Sequence, residues 1–297
     1  MNRRNFVRNT GLVTGIGATT GLSFLNSLFA QDAYKVTVLR NNVGFFTERG
    51  GTIGWLAAND GVVIVDTQYP DQAKHVIAEV KKKTDRQIDL LINTHHHGDH
   101  TSGNIAFKGL AKQVVAHENS KANLERTSKN LENTLLPDTT YRSGKWTKKV
   151  GSETMALHYF GAAHTDGDSV VHFENANIVH MGDLLFNRRV PFIDKSAGAN
   201  MASWQVVLEE TYNTFDRNTI FVYGHAGDGY EVQGNREDLK AFSNYLAKSL
   251  EFVKKGIDSG KTKESLAEAT EIPGALEWKG NQGRTVAAAY TELFEEK

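Results

Sequence analysis

The stretch LINTHHHGDHTSGN, Leu91 to Asn104, places four histidines and an aspartate within six positions. Crowded imidazoles compete for hydrogen-bond partners and repel once protonated, so a folded chain keeps such a cluster only where it has work for it. In an extended or tightly turning backbone, side chains two apart project to the same side. His95 and His97 can then share one metal ion, while Asp99 and His100, around the next turn, reach a second. Neutral imidazole and carboxylate suit zinc, at about 2.0–2.2 Å. A surface patch of chance spacing is the plainer alternative, and the residues around the cluster argue against it.

Before the cluster runs IDLLINT, a buried strand, so the histidines are expected on a loop at its carboxyl end, where ligand sites of layered α/β folds gather. Further upstream YKVTVLR, VGFFTE, TIGWLAAND and GVVIVD read as strands separated by Asn-Asn and Gly-Gly turns. Residues 70–84 read as a helix with Ala73, Val76, Ile77 and Val80 as its apolar stripe. Downstream come a strand QVVAHE and a helix NSKANLERTSKN. A second β-rich block then covers residues 145–183, with SVVHFE and NIVHMGD, followed by the helix SWQVVLEETYNTF and the strand TIFVYGH. Two passes of strands and helices suit sheets packed face to face with helices outside. From Asn235 the chain reads as amphipathic helix to Gly260, with two shorter helices after it.

Three more metal-type residues end strand-like runs: His164 after ALHYFGAA, Asp183 in NIVHMGD and His225 in TIFVYGH. A lone histidine is more often a satisfied structural one, but these three join the cluster in a common setting. The segment THHHGDH fits His-x-His-x-Asp-His, and the chain here resembles the metallo-β-lactamase fold superfamily. That resemblance, over roughly residues 35–230, implies a four-layer αββα sandwich (α/β, α+β) with a dinuclear metal site at one sheet edge and a helical C-terminal tail. It implies His95, His97 and His164 on the first metal, Asp99, His100 and His225 on the second, Asp183 bridging, and Asp66 behind a ligand. Ligating histidines commonly need such a carboxylate on the other ring nitrogen. His96 should point away from its neighbours and pack. His75, His117, His158, His172 and His180 lack the pattern and are expected to be ordinary hydrogen-bonded histidines. Asp168 would orient a ligand or cap a turn.

Two zinc ions, with iron or manganese as alternatives, would lower the pKa of a shared water from about 15.7 towards neutrality. The hydroxide would attack a carbonyl carbon or phosphorus, with Asp99 orienting it or moving its proton. No Gly-x-Ser-x-Gly elbow supplies a side-chain nucleophile. The expected function is hydrolysis of an ester, lactone, thioester or amide in a small molecule. In lactamases with a cysteine ligand that residue stands at the position of Asp183, and a lysine three positions on binds the drug; here that position is Phe186, and the chain has no cysteine. An aspartate at 183 instead resembles glyoxalase II, lactonases and phosphodiesterases. A β-lactam hydrolase, an iron-containing redox member and a non-catalytic metal module are the competing readings, and His97 favours zinc over two irons. Arg188 and Arg189, in FNRRVPF, are candidates to grip a substrate carboxylate or phosphate, with solvated surface arginines as the alternative.

The 297 residues carry a formal net charge of −1 and no basic run, which excludes an obvious nucleic-acid surface. Residues 1–30 differ from the rest. Arg3, Arg4 and Arg8 precede the weakly apolar GLVTGIGATTGLSFLNSLFA, and the first acid is Asp32. That layout resembles a twin-arginine export signal and is too polar for a good membrane span. Gly15, Gly17 and Gly21 miss the dinucleotide-loop spacing by one residue. The expected division is therefore an export signal over 1–30, a catalytic domain over 31–234 and a helical extension over 235–297 packed on it. A periplasmic or extracellular protein without a stable anchor is expected, and nothing in the sequence fixes the number of subunits.

Overall fold

Strand Val62–Val65 is apolar at all four positions and buried at all four. Successive strand residues face opposite sides, so such a strand must lie between two layers. In the computed structural model, which describes residues 34–296, Val63 and Val65 face a second sheet, while Val62 and Ile64 face helices. The export signal expected at 1–30 lies outside the described residues.

The first sheet has seven strands in chain order: β1 Lys35–Arg40, β2 Val43–Thr47, β3 Ile53–Ala57, β4 Val62–Val65, β5 Leu90–Ile92, β6 Val114–His117 and β7 Thr139–Tyr141. From β4 to β7 the neighbours run parallel. The second sheet is built from β8 Gly144–Val150, β9 Glu153–Tyr159, β10 Val170–Phe173, β11 Ile178–His180, β13 Ile220–Val222 and β15 Gln233–Gly234. A small pair, β12 Phe186–Asn187 with β14 His225–Ala226, stands beside it. Phe45, Leu56, Ile92 and Val115 meet Met155, Leu157, Val171 and Val222 in the core between the sheets.

Helices close both outer faces. On the first sheet, α1 Pro70–Lys81 packs Ala73, Val76 and Val80 against Trp55, Ile64 and Leu91. The short α2 Gly98–Thr101 and then α3 Glu118–Thr127 follow β5 and β6. On the second sheet lie α4 Met201–Thr214, α5 Glu237–Asp258, α6 Lys263–Ala267 and α7 Gln282–Tyr290. The result is the four-layer α/β/β/α sandwich with a helical C-terminus. The described residues from Val36 onward cluster as one compact unit. No helix among the described residues is long and apolar enough to cross a membrane.

Strand direction positions the site. β4 and β5 are parallel. In the other sheet β9, β11 and β13 share one direction, because β10 is antiparallel to both β9 and β11 while β13 is parallel to β11. Their carboxyl ends therefore gather at one rim of the sandwich. Backbone bonds from Ser169 N to the Thr94 carbonyl (2.8 Å) and from Thr52 N to the Gly224 carbonyl (2.9 Å) tie the two sheets together there.

The tail shares its core with the second sheet: Leu239, Phe242, Leu246 and Val253 of α5 lie among Trp204, Leu208, Met181 and Phe221. Trp278 stacks on Tyr245 with ring centroids 5.0 Å apart. Phe242→Ala should therefore cost about 3–5 kcal/mol and lower one global denaturant transition. A separate early transition of the tail, with the sheet signal unmoved, would contradict the shared core.

Candidate metal centre

The three histidines of the first group have their tautomers set from behind. The Thr94 hydroxyl donates to Asp66 Oδ2 (2.7 Å), which leaves it to accept from His95 Nδ1 (3.0 Å). His164 Nδ1 donates to the Phe192 carbonyl (2.7 Å), and His97 Nε2 donates to Asp194 Oδ2 (2.9 Å). Each outer nitrogen thus carries the proton, and each inner nitrogen presents a lone pair. Those inner atoms converge: His97 Nδ1 lies 3.1 Å from His95 Nε2 and 2.9 Å from His164 Nε2. Donors at about 2.0–2.1 Å from a tetrahedral cation sit roughly 3.3 Å apart, so this spacing fits one ion.

Burial keeps the His95 and His164 rings neutral. His164 is pushed down to about 3, first by burial and then by the neighbouring His97 ring. His95, fully buried, is held well below the usual histidine range for the same reason, with His100 adding to it. A neutral imidazole is the form a metal ion binds.

Asp183 joins this group to a second one. Its Oδ2 lies 3.5 Å from His164 Nε2 and 3.9 Å from His95 Nε2. Its Oδ1 lies 3.0 Å from His100 Nε2 and 3.4 Å from His225 Nε2. Asp99 Oδ2 completes the second group, 3.1 Å from His225 Nε2. Buried His100 Nε2 and Asp183 Oδ1 face each other without a well-formed hydrogen bond to any group. A buried polar atom without a partner costs about 1–3 kcal/mol, and two facing each other fit a shared cation. His100 stays well above its ordinary value although burial opposes this, because Asp183, Asp66 and Asp99 surround it. His225 rises to about 9 against the same opposition, through Asp183.

Close backbone approach shapes the cradle. A Cβ on Gly224 would stand 2.0 Å from Asp183 Oδ1, and one on Gly51 would stand 2.1 Å from His100 Cε1. Asp66, buried and at a left-handed φ of 64°, accepts from Thr94 N (2.8 Å), the Thr94 hydroxyl and His100 Nδ1 (2.7 Å). One carboxylate therefore orients a ring in each group.

All seven residues expected as ligands come together, in two sets joined through Asp183. Three local expectations are corrected. Asp99 and His100 sit in the first turn of α2 rather than on an open loop, because Gly98 starts a helix straight after His97. Asp183 lies on a 3-10 turn, Gly182–Leu184, past the end of β11, where the positive φ of Gly182 breaks the strand. His225 stands beyond β13 in the short strand β14, stacked on Phe186.

The remaining histidines divide. His180 Nε2 donates to the Thr52 carbonyl and its Nδ1 accepts from Gly182 N, so it anchors the turn of Asp183. His75 pairs with Glu48 (2.8 Å), and His117 bonds the Arg142 carbonyl. His158 and His172 depart from the hydrogen-bonded expectation. Their Nε2 atoms have no partner, and the rings pack against Phe160 and Phe215. His96 points away from the centre, with Nε2 3.6 Å from Asp194. Asp168 accepts from Thr165 N and Oγ1, capping the turn after His164 instead of touching its ring.

Asp194, which holds His97 from behind, is the residue of the centre that the sequence concealed. It stands in FIDKS, with no strand end or motif to mark it, thirty residues past His164. His97, donating to it, holds its carboxyl well below the usual carboxylate range.

The model of the metallo-beta-lactamase superfamily matches residues 46–225. A metallo-beta-lactamase type 2 of Bacillus cereus is 24% identical over 249 residues, 75% of this chain and 95% of that protein. A probable hydroxyacylglutathione hydrolase of Schizosaccharomyces pombe is 29% identical over 163 residues, 52% of this chain and 56% of the other. The solved metallo-beta-lactamase from Pontibacter korlensis superposes with a TM-score of 0.59 at 20% identity, covering 72% of this chain and 99% of that one.

Asp194→Ala should weaken zinc binding by about 10–100-fold in competition with a chromophoric chelator. Unchanged affinity would show that the His97 tautomer is set by something else.

Proposed function

This chain belongs to the metallo-β-lactamase superfamily, and we propose that it is a dinuclear zinc hydrolase acting on an ester, lactone, thioester or amide. One observation carries the reading: imidazole lone pairs with fixed tautomers face one point, and an unpartnered Asp183 oxygen faces another a carboxylate's width away. His95, His97 and His164 would hold the first ion, Asp99, His100 and His225 the second, and Asp183 would touch both. Imidazole and carboxylate without sulfur suit zinc, and a histidine rather than an acid at position 97 favours it over two irons.

Bound zinc would supply a water ionised near neutral pH and a Lewis acid for the electrophile's oxygen. The chain's own residues do the rest. Asp99 lines the open cleft with its side chain 27% exposed, so it can take the water's proton and return it to the leaving group. Phe186 and Phe192 line the same cleft and give it apolar walls against the ligand rings. Phe186 also occupies the position where cysteine-ligand lactamases carry a drug-binding lysine, which weighs against a β-lactam as the main substrate. The two curated relatives, a metallo-beta-lactamase and a probable hydroxyacylglutathione hydrolase by name, both support hydrolysis. We also place the enzyme outside the cytoplasm, on the strength of the Arg3–Arg4 leader alone.

The full chain loaded with two equivalents of zinc, assayed on lactones, aryl esters, thioesters, phosphodiesters and nitrocefin, tests this. Turnover of an acyl substrate should be lost with chelator, restored by zinc, and reduced at least about 100-fold in Asp99→Ala. Stoichiometric iron with an optical band in protein purified without added metal would overturn the zinc assignment. Nitrocefin as the preferred substrate would overturn the substrate class.

A further inference from the structure

The cleft over the metal centre has a volume of about 480 Å³, the size of a small-molecule site. One wall is formed by His97, Asp99, Asp183 and His225. Arg189 and Arg284 line the cleft as well. Arg189 lies just past β12, and Arg284 is in the first turns of α7, beyond the residues that the family match covers.

The neighbouring arginines are not equivalent. Arg188 is engaged, with Nη1 2.7 Å from Asp238 Oδ1 and the guanidinium over the Trp278 and Tyr230 rings. Arg189 and Arg284 have exposed side chains with no ion pair or hydrogen bond among the described residues. The acids lining this cleft are Asp99 and Asp183, and both face imidazoles. Two cationic forks therefore face the cleft uncompensated.

Their backbones are held together. Val190 N bonds the Lys279 carbonyl (3.0 Å), and Lys279 N bonds the Arg188 carbonyl (3.1 Å). Arg188 adopts a left-handed φ of 54°, a conformation that residues other than glycine rarely take. Buried Trp278, stacked on Tyr245, anchors the segment next to Lys279. The tail is thereby fixed at the rim of the cleft, and Arg284 with it.

We propose that Arg189 and Arg284 form an anion clamp, so that the physiological substrate carries a carboxylate or other oxyanion apart from the bond that is cleaved. The inference builds on the hydrolase reading above, and it assigns the C-terminal helices a part in substrate selection. Guanidinium forks bind such groups bidentately, and bound zinc would add to the positive field over the cleft.

Full-chain zinc enzyme should be compared on 4-nitrophenyl hemiglutarate and neutral 4-nitrophenyl butyrate. The anionic-to-neutral ratio of kcat/KM should exceed about tenfold in the wild type, fall as salt rises, and approach one in Arg189→Ala/Arg284→Ala, mainly through KM. Arg284→Lys should retain part of the ratio. Arg217→Ala, at the opposite end of β13, should leave the ratio unchanged. A ratio near one in the wild type, or an equal loss on both esters in the double variant, would overturn the clamp.

If neither ester is turned over, the clamp is read by binding instead. Glutarate, methyl sulfate and inorganic phosphate should each be titrated calorimetrically into wild type and double variant. At least one should bind the wild type about tenfold more tightly, which also identifies the anion. Equal affinity for all three in both proteins would overturn the proposal.

Discussion

The structure depends on where three protons sit. Because Thr94, Phe192 and Asp194 each accept from the far side of an imidazole, His95, His164 and His97 turn bare nitrogens toward one another. Three lone pairs at 2.9–3.1 Å repel unless positive charge lies between them. Asp66 extends the same control to the second group by holding His100 directly. The arrangement is costly as bare protein and favourable around cations, which is the logic of a preorganised metal site.

The sandwich makes this affordable by delivering the residues on rigid ends. β4, β5, β9, β11 and β13 all stop at one rim, so Asp66, His95, His164, Asp183 and His225 reach the centre from separate strands. The glycines at 51 and 224 let backbone pass where no side chain would fit. The C-terminal helices complete the outer layer over the second sheet and also bring Arg284 to the cleft, so stability and substrate selection draw on one packed core.

Much of this was legible in the sequence. Apolar runs such as VVIV and LLI can only be doubly buried strands, and acids or histidines at their carboxyl ends pointed to the rim. The seven expected ligands, four from the spacing of THHHGDH and three more through the resemblance it carries, come together. What escaped was set by tertiary contact. Asp194 resembles any loop aspartate until the chain folds it against His97. The 3-10 turn under Asp183 depends on His180 bonding Gly182. Neighbouring arginines at 188 and 189 look alike in sequence, and only Asp238, fifty residues on, shows which one is engaged. His158 and His172 lost their expected hydrogen bonds to aromatic packing for the same reason.

Metal analysis of the full chain is the most direct test of the convergent-donor account. After dialysis and reconstitution with zinc, two tightly held ions per chain are predicted, falling to one in His164→Ala and in His225→Ala, with the folded-state circular dichroism retained. Two ions persisting in both variants, or none retained by the wild type, would contradict the account.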